Sequence, residues 1–111
     1  MSGISTHVLN TALGKPAAGV PVTLERAAAE WTVCAQAFTD PDGRCRDLLV
    51  PDQVTAGRYR LLFNTAPYFA HLEQDTLYPE ISITFEVASD GASYHIPLLL
   101  SPFGYTTYRG T

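Results

Sequence analysis

The stretch Ile81-Ser82-Ile83-Thr84-Phe85-Glu86-Val87 decides the class of fold. Apolar and polar residues alternate at every step. That is the period of a strand with one face on a core and one toward water. A helix would repeat its apolar positions every three or four residues. Ile81, Ile83, Phe85 and Val87 are therefore the expected inward set. Their β-branched and aromatic side chains fit a pleated, half-buried surface.

The same reading extends outward in both directions. Toward the N-terminus, Gly57–Asn64 places Tyr59, Leu61 and Phe63 on one face. Arg44–Val50 and Trp31–Phe38 flank Asp40-Pro41-Asp42-Gly43, a turn with Pro at its corner and Gly where φ > 0 is needed. Val20, Val22 and Leu24 mark one face of another strand, with Pro21 pointing to an edge or a bulge. Ile4–Asn10 sets Ile4, Thr6 and Val8 against Ser5, His7 and Leu9. Only Thr65–Gln74 lacks the period of two. Tyr68, Phe69 and Leu72 there suit a short helix, capped by Asn64 or Thr65. Toward the C-terminus, Ser89-Asp90-Gly91 reads as a hairpin turn, followed by strands at Tyr94–Leu100 and Phe103–Tyr108. Turn signals about every 8 to 12 residues imply an all-β sandwich or barrel of about eight strands.

The chain has 111 residues, enough for one domain spanning 1–111. Charged residues make up only 16% of it, against about 25% in an ordinary soluble domain. The shortfall is local. Residues 1–14 carry no Asp, Glu, Lys or Arg, and residues 91–111 carry only Arg109. Yet these bland ends hold His7, His95 and Arg109. They read either as interior strands with satisfied polar groups, or as walls of a water-excluding site or subunit interface. One sandwich covers only one face of each sheet, so a second subunit is the natural cover for the other.

Several classes are excluded. A pI near 5.1 and a single lysine, Lys15, argue against nucleic acid. No apolar run approaches a membrane span. The first residues show no secretory pattern, which reads as cytoplasmic. Cys34 and Cys45 have neither disulfide-scaffold density nor C-x-x-C spacing and read as reduced thiols. His7, His71 and His95 show no metal-ligand spacing, and His71 reads as a surface residue of the helix.

Four stretches, taken together, resemble the 5-hydroxyisourate hydrolases, the enzymatic branch of the transthyretin family. They are Ser5-Thr6-His7-Val8-Leu9-Asn10, Asp42-Gly43-Arg44, Tyr94-His95-Ile96-Pro97-Leu98-Leu99-Leu100-Ser101-Pro102 and Tyr105-Thr106-Thr107-Tyr108-Arg109-Gly110-Thr111. The resemblance spans nearly the whole chain in order. It implies a transthyretin-like sandwich of two four-stranded sheets with one short helix. It implies a homotetramer, a dimer of dimers, with clefts at the dimer–dimer interface. It also implies hydrolysis of a small-molecule substrate, 5-hydroxyisourate, with no metal or cofactor. Three positions depart from the family's usual pattern. Thr111 stands for a terminal serine, Ser93 for a first histidine, and Asn10 for aspartate.

That reaction needs a base for water, a grip on a flat polar ring, and donors for a developing oxyanion. Histidine titrates near neutrality and suits the first task. One of His7 and His95, His7 before His95, is expected to activate the water while the other orients the water or the substrate. The planar forks of Arg44 and Arg109 suit carbonyl or enolate oxygens. Tyr108 and the Thr111 terminus are expected to shape the cleft and position a histidine. Ser101 has no nucleophile elbow around it and reads as a cleft or strand-end hydroxyl. Two other classes stay open: a transthyretin-like carrier of small apolar ligands, separated by the polarity of its cleft, and a plain structural sandwich.

Overall fold

The computed structural model describes residues 3–111. Nine strands follow in order: β1 (Ile4–Asn10), β2 (Lys15–Pro16), β3 (Pro21–Ala27), β4 (Trp31–Phe38), β5 (Arg44–Leu49), β6 (Gly57–Asn64), β7 (Glu80–Val87), β8 (Tyr94–Ser101) and β9 (Gly104–Thr107). A 3-10 turn, Pro51–Gln53, precedes β6, and one short helix, α1 (Ala66–His71), separates β6 from β7.

The strands form two sheets. One has the order β4-β3-β6-β7, all antiparallel. The other runs β2-β1-β8-β9, with β5 also pairing along β1. The two-residue β2 makes this second sheet five-stranded, where the sequence showed only a break at Gly14-Lys15-Pro16. β1 and β8 are parallel in register, Ile4 with Tyr94 through Asn10 with Leu100. Both ends of the chain thus meet in the middle of one sheet.

The core lies between the sheets. Ile4, Val8, Leu98 and Leu100 meet Val22, Leu24, Tyr59, Leu61 and Phe63, all essentially inaccessible. Ile81, Ile83 and Val87 are buried as the alternation requires, and Phe85 is partly buried. Pro21 opens β3 opposite Phe38, before pairing with β6 begins at Val22, so its missing N–H breaks no central ladder.

Two local expectations are corrected. Ser89-Asp90-Gly91 is not a hairpin turn. β7 and β8 belong to different sheets, and the segment carries the chain across the sandwich. Thr65 stands at the N-cap of α1 without capping it, because its hydroxyl donates to the Tyr78 carbonyl instead.

Candidate active site

The parallel register of β1 and β8 builds the site. Thr6 and Val8 point into the core, so Ser5, His7 and Leu9 face outward. Their partners His95, Pro97 and Leu99 share that face. On the other flank of β1, Arg44 stands opposite His7. Strand pairing brings together three residues widely separated in sequence.

The Asp40–Gly43 turn places two of them. The Asp40 carboxylate accepts the backbone N–H groups of Asp42 and Arg44, both at 2.9 Å. The Arg44 N–H is the main cause holding that carboxyl below its ordinary value of 3.8. Gly43 has φ +77°, and a Cβ there would lie 2.3 Å from the Val8 carbonyl oxygen, so only glycine allows the turn to press on β1. The Asp42 carbonyl then accepts a hydrogen bond from His7 Nε2 at 2.8 Å.

His95 is held differently. Its Nδ1 and the Ser5 hydroxyl are 2.8 Å apart. Burial, and after it the positive charges of Arg44 and His7, lowers its pKa from the ordinary 6.5. The ring is therefore neutral near pH 7 and has a lone pair to offer.

A cleft of about 270 Å³ opens here, lined by Ser5, Thr6, Arg44, Arg46, Asp47 and His95. Arg46 and Asp47 were missed by the sequence reading. They sit in a bulge: Ile4 pairs with Leu49 but Thr6 with Cys45, so β5 runs extra residues past Ser5. Asp47 takes φ +53° to make the bend. Bulges near sites re-aim side chains in this way. The hidden signal was an aspartate, a residue tolerated in the left-handed region, inside an otherwise regular strand. Among the described residues, neither Arg44 nor Arg46 is in an ion pair. Among the same residues, no three His, Cys, Asp or Glu side chains gather as a metal ion would need. A larger, mainly apolar depression of about 650 Å³ lies by Leu13, Phe38, Tyr68 and Leu72. It contains none of the expected site residues, so size does not locate the chemistry.

His7 shares the outward face but is not among the residues lining this cleft, and the remaining expected residues lie apart from it. The Arg109 guanidinium lies over the Tyr94 ring, 4.4 Å from its centre, and donates to the Ser93 carbonyl at 3.2 Å. Tyr108 is exposed and, with Arg109, borders a separate hollow against Ile83, Phe85 and Tyr94. Ser101 donates to the Gly104 carbonyl at 3.0 Å. It lies six residues along β8 from His95, about 20 Å away. Thr111 is exposed, one residue beyond the bridge that pairs Gly110 with His95. Asn10 is buried. Its carboxamide oxygen accepts from the backbone N–H groups of Ala12 and Leu13, and its amide donates to the Tyr68 hydroxyl at 2.9 Å. It braces the chain where β1 ends.

The two-sheet sandwich, with a polar histidine–arginine cleft on one outer face, defines a transthyretin-like protein. The chain belongs to the HIUase/Transthyretin family, whose model matches residues 4–110. It is 42% identical to the 5-hydroxyisourate hydrolase of Mus musculus over 113 residues, covering 99% of this chain and 96% of the mouse protein. The 5-hydroxyisourate hydrolase of Caulobacter vibrioides is 40% identical over 116 residues, spanning all of both chains. Among solved structures, Klebsiella pneumoniae 5-hydroxyisourate hydrolase superposes with TM-score 0.87 at 34% identity, covering 100% of this chain and 94% of the other. Sparus aurata transthyretin superposes with TM-score 0.93 at 28% identity, covering 99% and 97%.

Proposed function

We propose that this chain hydrolyses 5-hydroxyisourate to 2-oxo-4-hydroxy-4-carboxy-5-ureidoimidazoline, a step of urate breakdown. One observation carries the reading. His7, Arg44 and His95 converge on one outward face of a chain with whole-length identity to 5-hydroxyisourate hydrolases. In this reading His7 takes a proton from water, and the water oxygen bonds to a ring amide carbonyl carbon. Arg44 meets the charge that develops on the carbonyl oxygen. The C–N bond then breaks, and the leaving nitrogen takes the proton from the imidazolium. The product keeps the new carboxyl group. His95, neutral and anchored by Ser5, orients the water or the substrate.

The outer face is also where a partner copy belongs. Phe103, Tyr105 and Tyr108 are large and exposed near β9, and the cleft is open on its outer side. A homotetramer, a dimer of dimers, closes it. Ser101, Tyr108 and Thr111 contribute to that closure from a neighbouring copy or from its rim. Residues 1–111 act as one hydrolase domain in the cytoplasm, where the free thiols Cys34 and Cys45 stay reduced. A carrier of apolar ligands fits less well, because two arginines, an aspartate and a histidine line the cleft.

The test follows the ultraviolet decay of 5-hydroxyisourate generated by uricase. Decay faster than the spontaneous rate supports the reading, and decay at that rate sinks it. Mass measurement in solution checks assembly, since a stable monomer of 12.1 kDa contradicts a shared cleft.

A further inference from the structure

We propose that Arg109 and Gly110 form a latch that sets the orientation of the His95 imidazole. Arg109 anchors the tail on Tyr94, and Gly110 bears directly on the ring. Both are positioning residues, and neither needs to touch substrate.

The contact at Gly110 is unusually close. Its N–H donates to the His95 carbonyl at 2.7 Å, pinning the tail to β8 beyond the end of β9. A Cβ at position 110 would stand 2.6 Å from His95 Cδ2 and 3.2 Å from Pro97 Cγ. Carbon atoms in good contact sit about 3.5–4.0 Å apart, so a side chain here forces the imidazole and the tail apart. On the ring's other edge, Nδ1 is within hydrogen-bond distance of Ser5 Oγ. The imidazole is thus set between a hydroxyl and a backbone, which leaves it little freedom to turn.

Arg109 explains why the tail stays there. Its guanidinium stacks on Tyr94 and donates to the Ser93 carbonyl. Tyr94 is a firm base, 5% exposed, with its hydroxyl accepting the Ala88 N–H at 2.9 Å. Ser93 and Tyr94 are the two residues immediately before His95. The tail therefore grips the same strand segment that carries the histidine. Only arginine combines a stacking plane with forked donors.

The test compares Gly110→Ala and Arg109→Ala with the parent by imidazole nitrogen NMR, titrated without substrate. In Gly110→Ala, the His95 nitrogen shifts and titration should move while those of His71, on α1, stay in place. Arg109→Ala should broaden or shift the same His95 signals, and it carries the readout if Gly110→Ala does not fold. The latch is overturned if the His95 signals and titration in a folded variant coincide with the parent's. A second arm rests on the hydrolase reading: kcat in Gly110→Ala falls about a hundredfold, as a misplacement near 1 Å can cause, with KM changed far less. If the parent shows no hydrolysis at all, that reading fails, and the NMR comparison still decides the latch.

Discussion

His7 Nε2 lies 2.8 Å from the carbonyl oxygen of Asp42. A carbonyl can only accept, so Nε2 carries the proton and Nδ1 holds the lone pair of the neutral ring. The turn that delivers Arg44 also chooses the tautomer of the histidine beside it. Imidazole nitrogen spectra above neutral pH should show His7 protonated at Nε2. A protonated Nδ1 would place the basic nitrogen against Asp42 and remove His7 as the base in this geometry.

His95 makes stability depend on pH in a defined direction. Burial first, and the charges of Arg44 and His7 second, hold its native pKa below 6.5. Just below 6.5 the unfolded chain binds the proton and the native ring does not. The contribution is complete above 6.5 and is lost as pH falls from there through the native value. Urea midpoints should fall across that window. His95→Gln should remove that part of the slope, and an unchanged slope would contradict the assignment.

The Asp47 bulge places a carboxylate beside two arginines in the cleft. Asp47→Asn keeps a side chain that tolerates positive φ but removes the charge. KM for an anionic enolate substrate should fall about threefold, in line with an exposed charge worth roughly 0.6 kcal/mol. Steady-state kinetics at low salt check this. A rise in KM would mean that Asp47 contacts the substrate as an acceptor.

Asn10 is buried with three hydrogen bonds. Asn10→Ala leaves the Ala12 and Leu13 N–H groups without that acceptor, and should cost about 1–3 kcal/mol. Asn10→Asp keeps the acceptor, and the Tyr68 hydroxyl can reverse to donate. The aspartate variant should melt close to the parent and the alanine variant well below it. Equal melting of all three would mean that the brace carries no stability.

Much of this was legible from residue order. Period-two alternation set the strand at Ile81–Val87 and the faces of β1 and β6, because burial of one face is written directly into the pattern. The grouping of His7, Arg44 and His95 came from resemblance. No local rule tells that β1 pairs in parallel with a strand 90 residues away. Ser89-Asp90-Gly91 shows the same limit. Turn chemistry announces a change of direction, and it does not say which sheet the next strand joins. Arg46 and Asp47 escaped notice because a bulge breaks the alternation that locates faces. Arg109 stood out as a lone charge in a bland tail, and the structure gives it a stacking partner, Tyr94, beside a hollow separate from the histidine cleft.

The role of His7 as the base is tested by the kcat/KM of His7→Gln on freshly generated 5-hydroxyisourate. Glutamine can still donate to the Asp42 carbonyl, so the turn and Arg44 should hold their places, but it has no basic nitrogen. A loss of about 100- to 10,000-fold is expected, the range for a general base, with melting temperature and assembly unchanged. Parent-level turnover in the folded variant would contradict it.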